Sequence, residues 1–532
     1  MQTLETKRKG IVNIFLKKGV LIDQNLLEYL ENGKNLDEFS KLIEDKSSKD
    51  IMVLTEKIKD LLGHKQNTQL NWPELEKLKA ISEKTGSNDS NNLFDQILDH
   101  EKKEETKEET KLESNVKIVS SYDTTPKKRE ANHFAQYFNS RYHSIEKLLK
   151  QRQELQNITS INRVVNKKDR EQLSVIGLVR DKKHTKNGNY ILTIEDQTGQ
   201  INVLTNKNKP DLFRIAKDIV LDEIIGVVGV NGDNIIFASK LLFPDIPLAK
   251  EEKKTEEELY AIFLSDLHVG SKNFLGDDFN RFIKWINCNL GNETQKQIAS
   301  KVKYIFIVGD LVDGCGVYPH QEKELEIKDI KDQYKVCADL LSKIPQNIKL
   351  IICPGNHDAM RLAEPQPPIY KDFAEPLYDL PNVIMVSNPS VVNIHSLGDF
   401  PGFDVMLYHG YSFDFYVAEV QSIRDNGGYD RADLLMKFLL QKRHLAPSYT
   451  STPYVPDTNS DFLVIDKVPD FFVSGHIHKA AAAKYKDVTL ISGSCWQSKT
   501  SFQEKVGHNP EPSKVPIVNL QTRHVKILKF GE

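Results

Sequence analysis

The sequence has few cysteines and none of them is paired in a motif. Its five cysteines are scattered along 532 residues and no two have Cys-x-x-Cys spacing. This pattern excludes a disulfide framework and a cysteine-bound structural zinc site. We therefore expect reduced thiols in a cytoplasmic protein.

An excess of either charge is also absent. Lysine and arginine number 72 against 75 aspartate and glutamate, which leaves a formal net charge of -3. A protein that coats nucleic acid through bulk electrostatics needs many more basic than acidic side chains. Any contact with nucleic acid should therefore be local or shared with a partner.

Long apolar runs are missing as well. The longest near the N-terminus, residues 11–16, is much shorter than a signal sequence core or a membrane span. A hydrophobic share of 39% with 28% charged residues is typical of globular proteins. We expect neither export nor membrane insertion, and several domains, because the chain is too long for one hydrophobic core.

The sequence pattern changes twice in the first third of the chain, from helical periodicity to a charged segment and back. Apolar residues recur at helical spacing from residue 11 to about 98, which predicts a small helical domain over 1–98. The segment 99–132 is rich in glutamate, lysine and serine and is expected to be a charged linker. From residue 133 a helical stripe returns.

A barrel is predicted within residues 133–247, after that helix. Five short apolar segments with strand-like alternation lie between residues 171 and 244, and a predicted helix at 211–216 precedes the fourth. This is the layout of an oligonucleotide/oligosaccharide-binding (OB) barrel. Few aromatic residues are available to stack bases, so a structural role and a DNA-binding role are both open for it.

Residues 257–532 alternate apolar strands with helical stretches such as 277–289 and 322–343, which predicts an α/β domain. Five strands end in polar residues of the types that bind metals. They are Asp266 and His268, Asp310, Asn356 and His357, His409, and His476 and His478. A single Asp-x-His or His-x-His is commonly accidental, but five such sites in order, each at a strand exit, predict one shared metal centre.

This mixture of ligands suits a pair of divalent cations. Two cations about 3.5–4 Å apart need a shared anionic oxygen, and such a pair can polarise a phosphate and activate water. Asp310 is the natural shared ligand. Oxygen and nitrogen ligands without thiolate favour Mn²⁺, with Mg²⁺, Fe²⁺ or Zn²⁺ as substitutes.

The strand-exit motifs DLH at 266–268, GD at 309–310, GNHD at 355–358, His409 and GHIH at 475–478 resemble those of calcineurin-like metallophosphoesterases. The resemblance implies two packed mixed β-sheets with flanking helices. It also implies that Asp266, His268, Asp310 and His478 hold one metal. The other would be held by Asp310, Asn356, His409 and His476. His357 matches the family's non-ligand histidine, which contacts the phosphate and can protonate the leaving group.

Further motifs, which the chemistry does not require, are similar to those of small subunits of archaeal family-D DNA polymerases. These are RHLAP at 443–447, DKVPD at 466–470, GSCWQ at 493–497 and VPIV at 515–518. The resemblance covers residues 171–532 well and the N-terminal part only in layout. It implies a 3′-to-5′ proofreading exonuclease that acts on single-stranded or frayed DNA 3′ ends and partners a large polymerase subunit.

Two other classes compete with this interpretation. A stand-alone phosphodiesterase or phosphatase for small molecules would share the metal site, but such enzymes rarely carry a barrel and a helical domain upstream. A scaffold subunit with a vestigial site would lack metal ligands, whereas this chain has all of them.

Overall fold

A computed structural model describes residues 20–22, 52–54, 116–123, 127–167, 170–248, 251–457, 460–506 and 508–531. The chain divides into two compact units, Met1–Glu113 and Ser114–Glu532. In the first unit, strands β1 (Val20–Ile22) and β2 (Met52–Leu54) pair in parallel. The helical periodicity did not predict these two strands, and the rest of the predicted helical domain lies outside the described residues.

The second unit begins with a strand where a linker was predicted. Strand β3 (Val116–Ser121) pairs antiparallel with residues 390–394. Tyr122, which follows it, is fully buried, and its backbone N–H donates to Ser387 Oγ at 2.7 Å. The prediction of a linker over 99–132 is therefore wrong for residues 116–121, where two valines and an isoleucine add a strand to a sheet edge.

The predicted barrel is present and closed. Its helices are α1 (Ala131–Leu149), α2 (Ile161–Val165) and α3 (Pro210–Lys217). Its strands are β4 (Gln172–His184), β5 (Tyr190–Asp196), β6 (Gly199–Thr205), β7 (Ile224–Asn231) and β8 (Ile235–Leu242). They close in the order β4-β5-β6-β8-β7, with α3 before the fourth strand, which is consistent with an OB-type domain.

The remaining strands are β9 (Tyr260–Leu264), β10 (Val302–Val308), β11 (Lys349–Cys353), β12 (Val383–Met385), β13 (Ser390–Ile394), β14 (Phe403–Leu407), β15 (Phe471–Ser474), β16 (Ala481–Tyr485), β17 (Val488–Ser492), β18 (Lys514–Asn519) and β19 (Val525–Lys529). The helices are α4 (Gly276–Ile286), α5 (Glu293–Ser300), α6 (Ile330–Leu341), α7 (Lys371–Tyr378), α8 (Phe413–Glu419), α9 (Gln421–Asp425), α10 (Ala432–Lys442) and α11 (Ser501–Val506). None of the helices in the described ranges is both long and apolar enough to cross a lipid bilayer.

These strands form two mixed sheets packed face to face. The first has the order β12-β11-β10-β9-β18-β19 and the second β16-β17-β15-β14-β13-β3. Strand β10 is apolar on both faces, as a strand between two apolar layers must be. Phe306 faces the core between the sheets, while its neighbours Ile305 and Ile307 face the helices on the outer side. Helices cover the outer face of each sheet, so the predicted two-sheet fold with flanking helices is confirmed.

Helix α1 packs on both the barrel and the two-sheet domain. Its Ile145 and Leu149 pack with barrel residues, whereas Arg141 is buried and donates from Nε to Asp461 Oδ2 at 2.6 Å. Tyr137 donates its hydroxyl to Asp461 Oδ1 at 2.7 Å. Hydrophobic packing and a buried ion pair therefore join the barrel to the two-sheet domain.

We expect the start of the chain to be removable only as far as β3. A protein beginning at residue 114 keeps β3, and its two-sheet domain should melt at the same temperature as in the full-length chain. One beginning at residue 127 loses β3 and the buried Tyr122 ring, which should cost about 3 kcal/mol or more. Thermal melting of both truncations tests this, and equal melting temperatures would show that β3 contributes nothing.

The environment of His444 predicts a loss of stability on mild acidification. Its Nδ1 accepts from Ala446 N–H at 2.9 Å and its Nε2 lies 2.8 Å from Asp461 Oδ2. Burial, then the nearby Arg141, lower the pKa of His444 to about 4 from an ordinary 6.5. As pH falls from 6.5 to 4, His444 therefore binds a proton in the unfolded chain but not in the folded chain. Stability is full above that window and falls within it, by roughly 3 kcal/mol.

Denaturant unfolding as a function of pH measures this effect. The variant His444→Gln should be less stable at neutral pH but should lose stability less steeply between pH 6.5 and 4 than the parent protein. Identical slopes for the two proteins would contradict the assignment.

Candidate active site

All of the predicted site residues meet at one edge of the two sheets. Strands β9, β10 and β11 are parallel neighbours, as are β14 and β15, so their carboxyl ends lie together. The side chains are Asp266 and His268 after β9, Asp310 after β10, Asn356 and His357 after β11, His409 after β14, and His476 and His478 after β15. Three overlapping groups of these residues have ligand atoms within 4.8 Å of one another.

The backbone at these positions is unusual. Five site residues that are not glycine have positive φ angles: Asp266 (51°), His268 (52°), Asp310 (53°), His476 (70°) and His478 (54°). Such residues are a few per cent of non-glycine residues and cost free energy, and they gather at functional sites. The concentration of strain at this edge independently marks it as functional.

Two glycines allow the loops to approach closely. A Cβ on Gly309, whose φ is +82°, would lie 2.2 Å from His409 Nδ1, and one on Gly355 would lie 2.2 Å from Asp310 Oδ1. Both distances are far inside van der Waals contact, so no other residue fits without moving the site. The glycines in the GD and GNHD motifs are therefore needed for packing of the site itself.

One cluster surrounds Asn356 Oδ1. It lies 3.0 Å from both His409 Nε2 and His476 Nδ1, and Asp310 Oδ2 lies 3.2 Å from His409 Nε2. The other ring nitrogens already have acceptors: His409 Nδ1 donates to Val308 O at 2.8 Å, and His476 Nε2 lies 3.0 Å from Asp414 Oδ2. In the neutral form of both imidazoles, His409 Nε2 and His476 Nδ1 would therefore direct lone pairs, without hydrogens, at these oxygen atoms.

This arrangement attracts positive charge. Burial alone would lower the pKa of His409, but the Asp310 carboxylate raises it to about 10. A proton at His409 Nε2 relieves the facing lone pairs, and a divalent cation among the same atoms would do so too. The donor set thus fits a metal ion.

The second cluster contains His268, His478 and Asp266. The Nε2 atoms of the two histidines are 3.1 Å apart, and His478 Nε2 is 3.4 Å from Asp266 Oδ1. Asp310 lies between the clusters, because its Oδ2 is 3.9 Å from His268 Nε2 as well as close to His409. This position suits a carboxylate that bridges two cations.

His357 is held at the border of both clusters. Its backbone N–H donates to Asp310 Oδ1 at 2.8 Å, and its Nδ1 donates to the Asp313 carbonyl at 2.7 Å. The ring lies edge-on to His268, with centroids 4.7 Å apart. Since Nδ1 is occupied, Nε2 is the ring atom available for chemistry.

Several buried carboxylates around the ligands were not assigned a role from the sequence. Asp313 Oδ1 lies 3.2 Å from His268 Nδ1, opposite the atom that faces His478. Asp358 accepts the backbone N–H of Gly355 at 2.9 Å, and burial, then the charge of Asp310, raise the pKa of Asp358 to about 7. Asp358 is the last residue of the quoted GNHD motif and could have been found there, and Asp313 lies three residues after the quoted GD motif, whereas the exposed Asp414, beside His476, had no sequence signal.

One thiol also reaches the edge of the site. Burial lowers the pKa of His478, but the neighbouring Cys495 and Asp266 raise it above its ordinary value overall. Cys495 is fully buried, and its Sγ lies 3.3 Å from the Gln497 carbonyl oxygen. The GSCWQ motif therefore packs against a metal-ligand candidate.

Fold and site together define a phosphoesterase of the calcineurin-like class, and the model of the calcineurin-like phosphoesterase family matches residues 260–480. The DNA polymerase II small subunit of Methanothermobacter thermautotrophicus is 40% identical over 395 residues, 74% of this chain and 78% of that protein. The Archaeoglobus fulgidus small subunit is 37% identical over 75% of this chain and 77% of its own length. The Pyrococcus furiosus small subunit is 40% identical over 75% of this chain and 64% of its own length. The chain belongs to the family of DNA polymerase II small subunits.

Proposed function

We propose that this protein is a 3′-to-5′ exonuclease that removes nucleotides from DNA ends within a polymerase complex. The observation that carries the proposal is the complete ligand set on a phosphoesterase fold in a family of polymerase subunits. A family of metallophosphoesterases implies divalent metal ions and phosphoester hydrolysis.

The two clusters would hold one cation each. Asp266, His268, Asp310 and His478 would bind the first, and Asp310, Asn356, His409 and His476 the second. A bound pair polarises the phosphate and activates water at neutral pH. Oxygen and imidazole ligands favour Mn²⁺, with Mg²⁺, Fe²⁺ or Zn²⁺ as alternatives.

Neighbouring carbonyl and carboxylate oxygens orient the ligands. The contacts of His409 Nδ1 with Val308 O and of His476 Nε2 with Asp414 direct the remaining nitrogens inward. Asp313 acts in the same way on His268. Such partners fix the tautomer and the ring angle, and losing one commonly weakens metal affinity 10-fold to 100-fold.

His357 would supply the proton for the leaving oxygen. Its Nδ1–H is fixed by the Asp313 carbonyl, so the transferable proton is carried on Nε2. The bond from its backbone N–H to Asp310 Oδ1 holds the ring at the cation-binding edge. Water attacks the phosphorus while the P–O bond to the shortened strand breaks, and the imidazolium form of His357 gives its Nε2 proton to the leaving oxygen and becomes neutral.

The partner would be a large polymerase subunit, since the relatives' name as small subunits implies one. The substrate would be an unpaired or frayed DNA 3′ end, because the scissile phosphate must reach ligands buried at the sheet edge. Cleavage in that place removes a misincorporated nucleotide before synthesis continues.

The test uses the chain alone and with its large subunit on 3′-labelled single-stranded DNA, paired DNA and DNA with a 3′ mismatch. Mn²⁺-dependent release of mononucleotides, faster from unpaired ends and abolished by EDTA, is the expected result. A parallel Asp310→Asn preparation excludes contaminating nucleases. Efficient hydrolysis of a small aryl phosphodiester with DNA left intact would instead identify a stand-alone phosphodiesterase.

A further inference from the structure

An aromatic pair lies beside the His476 side of the site. Tyr429 follows α9, and His508 follows α11, yet their ring centroids are 4.0 Å apart with planes tilted by 53°. Both residues are only half-buried. Tyr429 packs partly against the core of the second sheet.

Asp414 connects this pair to the candidate ligands. Its Oδ2 lies 3.0 Å from His476 Nε2, and burial, then the Asp414 carboxylate, raise the pKa of Tyr429. A third half-buried ring, Tyr411, has its centroid 5.8 Å from that of His476. Three aromatic side chains from separate segments thus border one side of the site.

The surroundings of the pair suit a nucleic-acid strand. Lys499 Nζ donates to Asn509 Oδ1 at 2.9 Å next to His508, and Lys499 is exposed. Lys479, which follows the ligand candidate His478, pairs with Asp430 at 2.7 Å next to Tyr429. Cationic side chains beside solvent-accessible aromatic rings are how proteins hold single strands, with bases on the rings and phosphates on the charges.

We propose that Tyr429 and His508, bordered by Tyr411, form a stacking platform for the base of the terminal nucleotide. The inference rests on the proposed exonuclease function and extends it to recognition of the substrate. A base that stacks on this platform has left the duplex stack, so the platform selects unpaired ends. It also selects strands that carry bases over phosphodiesters that lack them.

The test removes the ring in one variant and keeps a ring in its matched control. His508→Leu removes it, and His508→Phe retains it. Each protein is assayed on single-stranded DNA with a normal 3′-terminal nucleotide and on the same strand with an abasic one. Since stacking on one aromatic side chain is worth about tenfold or more per base, His508→Leu should lower kcat/KM on the normal strand roughly tenfold. It should leave kcat/KM on the abasic strand unchanged, and His508→Phe should behave like the parent.

Binding is measured independently of cleavage. A strand with 2-aminopurine at its 3′ end is titrated in EDTA, where stacking quenches the fluorescence. Quenching by the parent and by His508→Phe, but not by His508→Leu, supports the platform. If the proteins quench in this way but do not cleave DNA in the activity assay, only the exonuclease proposal fails. Equal quenching by all three proteins, or equal loss of kcat/KM on both strands in His508→Leu, overturns the platform. Tyr429→Leu with Tyr429→Phe repeats the comparison from the other ring.

Discussion

Replacing Asp310 with asparagine should abolish phosphodiester cleavage. The carboxylate lies 3.2 Å from His409 Nε2 and 3.9 Å from His268 Nε2, so it serves both clusters. Removing its charge weakens both proposed cation sites together. The loss should exceed the roughly 10²–10⁴-fold that a single general acid contributes. Activity with added Mn²⁺ and metal content per chain are the measurements.

Asp266→Asn is the matched control. Asp266 has the same side chain and the same left-handed backbone, and asparagine tolerates that conformation. Its carboxylate lies 3.4 Å from His478 Nε2 and belongs to the first cation's proposed ligands alone. We expect Asp266→Asn to keep one tightly bound metal and more activity than Asp310→Asn. Two metals per chain in Asp310→Asn would rule out a bridging role.

The variant His357→Ala should lose about 10²–10⁴-fold in cleavage rate, or about 3–5 kcal/mol of barrier, while keeping its metals. The ring is fixed through Nδ1 by a carbonyl oxygen, and its removal leaves every proposed ligand in place. Association with the large subunit should also survive, because the change is confined to the site. Rate and metal content are measured on the same preparation.

His409→Ala provides the contrast. His409 is fully buried and its Nε2 faces Asn356 Oδ1, so its loss should weaken occupancy of the second cation site. Excess Mn²⁺ should restore part of the activity of His409→Ala but none of that of His357→Ala. A ring nitrogen of His357 lies within 4.8 Å of ligand atoms of His268 and Asp310, so this comparison is informative. Equal rescue of both variants would make His357 a ligand.

The barrel and the site could be predicted because their signals are local. The barrel strands are short apolar or alternating segments separated by polar turns, and each group of ligands follows an apolar strand. Parallel strands then bring their exits together, so order along the chain was enough to predict one centre. The match of the family model to residues 260–480 is the independent support for that fold.

Other features depend on contacts that the sequence does not display. Strand β3 is short and follows a charged run, and only its pairing with β13 makes it a strand. The proposed platform brings together Tyr429 and His508, which have strands β15, β16 and β17 between them in the sequence, so neither residue stood out. The helix predicted at 322–343 begins only at Ile330, because the Asp329 side chain accepts the backbone N–H of Lys331 at 2.8 Å and caps it there. That boundary was readable in principle, since aspartate is a preferred N-cap.

The left-handed backbone at the ligands sets function against stability. Each such residue raises the free energy of the folded chain, and the cost persists only because the surrounding packing enforces it. Ligand binding to the folded state alone offsets a cost of this kind by mass action. Glycine at any of these five positions would relieve that cost but would supply no ligand, so the ligands at this edge are kept at the expense of folding stability.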